Sequence, residues 1–245
     1  MTVAVAQVTF TAVSSNLTSL VMNMPSGVAD GNLLIALGVV DGNPALTAPA
    51  GWTTEQQWNG SAPISKVLSR VASREPSSYT WTTDAAEKGM FCVLEISGGS
   101  ALSTARDGSR QDTVTSWDSG NITTTEANCL GFWIALVHNA PRSSENDTPL
   151  PSGGTFHARG AGTSNHAGLG VGWAIKASAG AIGTKTWGAY TDAGHAVGYA
   201  AFVTPASVTT DNFPALQRLD RGVGPVTAAR LGGVLQRSVE RARSI

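Results

Sequence analysis

The chain has 245 residues, with 16 Lys and Arg against 17 Asp and Glu, and a formal net charge of −1. Hydrophobic residues make up 42% and charged residues only 13%, which excludes a largely disordered chain. The net charge near zero argues against nucleic acid as the main partner. The length fits one large β domain or two small ones, and no apolar run reaches the 18 residues that a membrane span needs.

Alternating and continuous apolar runs predict a series of β-strands. Residues 2–13 alternate with a period of two, which places one set of side chains on a buried face: Ala4, Ala6, Val8, Phe10 and Ala12. The runs at 32–40, 90–97 and 130–138 are apolar on both faces, which is typical of central strands. Further strands are predicted at 64–72, 79–83, 168–177 and 196–203.

The segments between these strands are rich in Gly, Pro, Asn, Asp and Ser, which favour turns. No stretch before about residue 215 has a helical period. We therefore predict an all-β domain over residues 1–210, an antiparallel two-sheet jelly-roll-like sandwich.

The stretch PAGWTTEQQW at 49–58 carries Trp52 and Trp58. Each ring can seal one end of the sheets, with its N–H donated to a loop carbonyl. The alternative is an exposed platform on which a glycan stacks. The residues leave both interpretations open.

The strand at 168–177 has one face made of small residues: Gly168, Gly170, Gly172 and Ala174. Such a face indicates close approach, either of a Trp from the facing sheet or of a second subunit. The other face carries Leu169, Val171, Trp173 and Ile175. We expect Trp173 to pack between the sheets with Leu169 and Ile175.

The sequence carries no recognisable catalytic motif, so no catalytic residue, metal site or cofactor is predicted. The four histidines lack metal-site spacing: His138, His157, His166 and His195. Asp107 and Asp112 fit a polar turn better than a calcium loop. A glycosidase needs two opposed carboxylates, and nothing singles out a pair among four candidates: Asp41, Glu55, Asp84 and Glu95.

Glu95 interrupts a core strand and is expected on its outward face. Cys92 and Cys129 both lie in apolar runs, which favours two buried thiols over a bridge. The opening residues lack the basic region of a secretory signal, so we expect no secretion.

An ordered set of short motifs resembles a domain of tailed-bacteriophage structural proteins. A Gly-Asn-Leu-Leu strand, a Pro-Ala-Gly-Trp-Thr turn and an Arg-x-Ala…Glu-Pro…Tyr-Thr-Trp segment follow one another, and the likeness covers about residues 1–205. The matching positions are Gly31, Asn32, Leu33, Leu34, Pro49, Ala50, Gly51, Trp52, Thr53, Arg70, Ala72, Glu75, Pro76, Tyr79, Thr80 and Trp81.

The resemblance implies a non-enzymatic virion protein, assembled in the host cytoplasm, such as a capsid decoration (cement) protein, a tail fibre or a head spike. It implies capsid or tail subunits as partners and a homo-oligomer, with a trimer favoured because that symmetry suits capsid and fibre positions. Two alternatives remain: an adhesin that binds a host surface glycan, and a polysaccharide-degrading enzyme.

The segment 211–245 is basic, with six Arg against three acidic residues, and is predicted to be partly helical. An apolar stripe on that helix comprises Leu231, Val234, Leu235, Val239 and Ala242. Arg230, Arg237 and Arg241 lie on an adjoining face. The segment either folds back on its own sandwich, grips a neighbouring virion subunit as an arm, or stays solvated.

Overall fold

The computed structural model describes residues 2–114, 116–138, 155–160, 167–188 and 194–206. They belong to a compact unit that spans Met1–Ser207. All regular structure in these ranges is β, and the strands pair antiparallel. The all-β prediction is therefore confirmed. The helix predicted within 211–245 lies outside the described residues.

The first half of the chain forms one sheet, in the order β1-β6-β2-β5-β4, with β3 beside β6. Runs with apolar residues on both faces occupy its centre, as expected for strands covered on both sides. Its strands are β1 (Ala4–Asn23), β2 (Leu33–Val40), β3 (Leu46–Thr47), β4 (Thr53–Trp58), β5 (Ile64–Val71) and β6 (Ser78–Ser97).

The second half forms the other large sheet, in the order β12-β13-β11-β16-β7, and β8 also pairs with β16. Two short pairs, β9 with β15 and β10 with β14, lie off it. The strands are β7 (Gly99–Leu102), β8 (Asp107–Val114), β9 (Ser116–Asp118), β10 (Thr123–Thr124), β11 (Cys129–His138), β12 (Thr155–Gly160), β13 (Gly168–Lys176), β14 (Gly180–Ala181), β15 (Thr186–Gly188) and β16 (Gly194–Pro205).

The jelly-roll connectivity that we predicted is not the one observed. A jelly roll interleaves two Greek keys across its two sheets. Here every described strand up to Ser97 belongs to the first sheet, and the second is built from strands that begin at Gly99 or later. Each large sheet is thus formed by one continuous part of the chain, and its strands pair only with strands from that part.

A central core joins the two sheets into a sandwich-like body. The first sheet contributes buried residues from its two middle strands, among them Ile35 and Leu37 on β2 and Cys92 on β6. The second contributes residues such as Phe132 on β11 and Tyr199 on β16. Apolar area removed from water on both inner faces supplies the main driving force for this packing.

The outer face of the first sheet is also buried, in a second apolar cluster. The far halves of β1 and β6 bring Leu20, Met22 and Trp81 over Phe91 of the sheet. Gly38 on β2 makes room for this layer, because a Cβ there would lie 3.0 Å from Trp81 Cη2. Trp81 is fully buried and donates its indole N–H to Met22 Sδ at 3.3 Å.

The alternation predicted for residues 2–13 is interrupted by a register shift between Val5 and Gln7. A bulge that adds one residue moves the side chains of one segment to the other face. Val5, Val8 and Phe10 accordingly all pack against the central core. The predicted burial of Val8 and Phe10 is therefore correct, whereas that of three small residues is wrong because they are exposed: Ala4, Ala6 and Ala12.

The packing predicted for Trp173 with Leu169 and Ile175 is correct only in part. Ile175 is 44% exposed, so it does not join the central core. Trp173 is only partly buried and packs against that core, to which the buried Leu169 belongs. The contribution of β13 to the core thus weakens towards its last residues, where solvent replaces the facing sheet.

Candidate functional site

Four of the motif residues behind the phage resemblance meet in one place on the first sheet. Trp52 precedes β4, Arg70 lies on β5, Glu75 lies in the loop after it, and Tyr79 lies on β6. Gly51 allows the turn that delivers Trp52, because its φ of +81° is favourable only for glycine. We call these four side chains, Trp52, Arg70, Glu75 and Tyr79, the Arg70 cluster.

The Arg70 guanidinium is the centre of this cluster. Its Cζ lies 5.6 Å from the Trp52 ring centroid and 5.5 Å from the Tyr79 ring centroid, within the range of cation–π attraction. Trp52 meets Tyr79 edge-on, with centroids 5.5 Å apart. Three separate segments of the chain are thereby fixed to one another around a single cation.

A chain of polar contacts completes the Arg70 cluster. Arg70 Nη1 donates to Tyr79 Oη at 2.5 Å, and Tyr79 Oη donates to Glu75 Oε2 at 2.6 Å. Arg70 Nη2 lies 3.2 Å from Glu75 Oε1, and this oxygen also accepts from Ser73 N at 2.8 Å. Both Glu75 oxygens are thus engaged, and the contacts fasten the loop after β5 to β5 and β6.

We expect the Tyr79 hydroxyl to give the fold a specific alkaline sensitivity. Burial, the hydrogen bond to Glu75 and the charge of Glu75 raise the pKa of Tyr79 to about 12, from its ordinary value of 10.0. The folded state therefore holds the phenol proton more tightly than the unfolded chain. The resulting stability is fully present below pH 10 and is lost as the pH rises towards 12.

Urea unfolding of Tyr79→Phe and the unmodified chain from pH 8 to 12 checks this expectation. The variant should be less stable by about 1–2 kcal/mol near pH 8, because the hydroxyl loses its hydrogen bonds with Arg70 and Glu75. The difference should narrow between pH 10 and 12. A difference that stays constant over that range contradicts the shifted pKa.

Trp58 contributes to a second cluster, between the first sheet and the segment that leads into β8. Its ring meets Tyr199 edge-on, with centroids 5.4 Å apart. Nearby, the Arg106 guanidinium donates to both the carboxylate and the main-chain oxygen of Glu55, and Ser69 Oγ donates to the same carboxylate. Arg106 Nε donates to Ser103 O at 2.9 Å. We call the ion pair the Glu55–Arg106 pair.

The Glu55–Arg106 pair is enclosed, with side-chain exposures of 15% and 17%. Tyr199 is buried, and its hydroxyl has no hydrogen-bond partner within the described residues. Burial is the main cause that raises the pKa of Tyr199. The pair ties β4 to the second half of the chain and presents no free carboxylate to a substrate.

These environments bear on the two interpretations of the Trp turn. Trp52 is only 9% exposed and belongs to the outer apolar cluster of the first sheet, so packing accounts for it. Its indole N–H has no partner among the described residues, so the expected bond to a loop carbonyl is not found there. Trp58 is half-buried against the central core. Neither ring forms an open stacking surface in this chain.

A shallow cavity of about 380 Å³ lies elsewhere, at the turn between β2 and β3. Asp84 is part of its wall and accepts a hydrogen bond from Ala45 N at 2.7 Å. The wall of this cavity contains no aromatic side chain and is formed by Asn43, Pro44, Ala45, Leu46, Asn59, Gly60, Ile64 and Asp84.

The other candidate carboxylates have structural partners of their own. Asp41 Oδ1 accepts from Gly42 N at 3.0 Å. Glu95 shares the outer face of the first sheet with Phe91 and Val93, as expected, but it is only 1% exposed because other residues cover it. It accepts from Gln7 Nε2 at 2.8 Å, Ala29 N at 2.8 Å and Asn32 Nδ2 at 2.7 Å. The loop before β2 covers it, which no local pattern reveals.

The cysteines are free thiols in different sheets, and both are buried, as predicted. Burial raises the pKa of Cys92, and burial is also the main cause that raises the pKa of Cys129.

Three of the four histidines lie on described strands. His138 and His195 are register partners on β11 and β16, His157 pairs with Val171, and His166 lies outside the described residues. Across the described ranges, no three His, Cys, Asp or Glu side chains cluster as metal ligands would.

The small-residue face of β13 lies beside β11, where Gly172 is the register partner of Trp133. Gly168, Gly170 and Gly172 are buried within the single chain. Trp133 is buried too; its indole N–H donates to Gly183 O at 2.7 Å. Gly172 therefore lies beside a Trp, which is on the neighbouring strand and not on the facing sheet. Gly168 and Gly170 pair with Val137 and Ala135, so a second subunit at this face stays a prediction.

The candidate contact residues of the C-terminal segment lie outside the described residues: Arg230, Leu231, Val234, Leu235, Arg237, Val239 and Arg241.

Asp112 lies on β8, and Asp107 Oδ2 accepts from Asn121 N at 2.8 Å. Asp107 thus fastens a turn, as its sequence context suggests. No helix in the described ranges has the length and apolar character of a membrane span.

The fold and the two clusters define a β-sandwich-like protein whose buried polar groups hold its own segments together. Comparisons of the chain with protein-family models, with curated protein sequences and with solved structures give no match.

Proposed function

We propose that the chain is a non-enzymatic structural protein of a bacteriophage virion, a decoration (cement) or related accessory protein on the particle surface. One observation carries the proposal. Seven of the sixteen residues on which the phage resemblance rests lie together, in the Arg70 cluster or in the outer apolar cluster that contains Trp81. Motif residues that pack against one another support an architecture shared with the phage domain better than matches scattered over the structure would.

The polar groups of the described residues favour the same proposal over an enzyme. Glu55, Glu75 and Glu95 each hold a loop or strand in place through several hydrogen bonds. A glycosidase keeps two carboxyls facing each other across a cleft, about 5–10 Å apart. The adhesin alternative needs exposed aromatic rings, and Trp52 is buried while Trp58 packs on Tyr199.

The partners that we propose are capsid or tail subunits, gripped by the segment 211–245 as an arm. Its apolar stripe includes Leu231 and Leu235, and its Arg side chains can meet carboxylates on a neighbour. An isolated helix of this length is marginal in water, so a partner surface supplies the missing stabilisation.

Deletion of residues 211–245 tests this arm. The truncated chain should remain folded and soluble but should no longer sediment with particles through a density gradient. A matched control, Arg218→Ala with Arg221→Ala, removes two charges outside the stripe and should incorporate normally. Incorporation of the truncated chain at the level of the full chain contradicts the arm, and loss of folding indicates that the segment folds back.

A further inference from the structure

The strand β1 forms an edge of the first sheet. It pairs with β6 from Ala4 to Asn23, and no other described strand pairs with its second side. In an antiparallel edge strand, about half of the backbone N–H and C=O groups point away from the sheet. The regular part of β1, Gln7–Val13, therefore presents a row of donors and acceptors beyond the sheet.

This edge lacks two of the usual protections against pairing, charge and proline. Natural edges carry charged residues, proline or β-bulges, or are short. Residues 4–23 contain no charged residue and no proline. The opposite edge, β4, has six residues, a register shift between Thr54 and Gln56, and Glu55. The two edges of one sheet are thus chemically different, and only β1 is long and uncharged.

Irregularities divide β1 but leave a continuous run. Register shifts occur between Val5 and Gln7 and again after Val13. The segment from Gln7 to Val13 pairs with β6 without interruption, so its outer side is regular enough to accept another strand. Further along, Leu17 is 45% exposed and Val21 is 44% exposed. Two of the four large exposed hydrophobic side chains in the described residues therefore lie on β1.

We propose that β1 is an interface that binds the β1 strand of a second copy of this chain, antiparallel and about a two-fold axis. A two-fold contact brings the same surface of both copies together. In such a contact a charged strand would face the same charges on the second copy, whereas β1 has no charged residue. Its Thr-rich run gains favourable cross-strand Thr pairs in such an arrangement.

The proposal is independent of the virion function and predicts a dimer, not the trimer that the resemblance favours. Size-exclusion chromatography with light scattering on the full chain measures the mass directly. We expect the mass of two chains. A monomer or a trimer overturns the proposal.

A double variant, Thr9→Lys with Ala12→Lys, places like charges on the two paired strands and should give a monomer. Thr9 and Ala12 lie within the continuous run. Gln7 and Thr11 are left unchanged, because Gln7 Nε2 donates to Glu95 and Thr11 Oγ1 accepts from Asn23 N. The matched control, Thr53→Lys, adds a charge to an exposed position of β4 and should leave the dimer intact.

Charge complementation separates pairing from misfolding. Mixing the lysine variant with Thr9→Glu and Ala12→Glu should restore a dimer with one copy of each. If a thermal melt shows that the double variant is unfolded, the single variant Ala12→Lys replaces it, because the Ala12 side chain is exposed. A dimer that survives the lysine substitutions, or that Thr53→Lys disrupts instead, overturns the proposal.

Discussion

Replacing Trp81 by alanine should lower the free energy of unfolding by about 3–5 kcal/mol. Trp81 is fully buried, meets Phe91 with ring centroids 5.4 Å apart and lies over Gly38. Its removal leaves a large cavity under the far halves of β1 and β6, and it removes the contact to Met22 Sδ. Urea denaturation with a constant m-value measures the loss.

Trp173→Ala is the matched control, because it removes the same side chain from the rim of the central core. Trp173 is only partly buried, so its loss should cost about half as much or less. Equal losses for the two variants would contradict the burial pattern, and an unchanged midpoint for Trp81→Ala would contradict the outer cluster itself.

Glu95→Ala should destabilise the fold by about 2–4 kcal/mol, because it leaves three donors without their acceptor. Those donors, on Gln7, Ala29 and Asn32, join β1 and the loop before β2 to β6. The loss should be accompanied by faster hydrogen exchange at the Ala29 amide.

Glu95→Gln is the control for this prediction. Its remaining carbonyl oxygen can still accept from Ala29 N and Asn32 Nδ2, so it should keep more than half of the lost stability. Exchange at Ala29 should then stay close to that of the unmodified chain. If Glu95→Ala is as stable as the unmodified chain, the carboxylate does not fasten the loop.

Much of the strand framework follows from local sequence. The runs that form β2 and β11 are apolar on both faces, and such segments have few alternatives to a covered central strand. The period of two in the strand predicted at 79–83 puts Tyr79 and Trp81 on one face, and both pack in the outer cluster of the first sheet. The spacing of apolar residues along a strand is a pattern of sequence neighbours, so it can be recognised in the sequence alone.

Features set by distant residues could not be predicted. Arg106 reaches Glu55 across 51 positions, and Glu95 is covered by a loop 63 to 66 positions away. The bulge near Ala6 depends on how β1 meets β6. The Arg70 cluster lies between these cases, because its motif is visible in the sequence while its role as a fastener requires the geometry.

Electron cryomicroscopy of bacteriophage particles from cells that carry the gene for this chain tests the proposed function most directly. The particles should be purified with and without that gene, so that difference density identifies the chain. We predict density for the two-sheet sandwich at repeated positions on the particle surface. Complete particles with no such density, and with the chain left entirely in the lysate, would contradict a structural role in the virion.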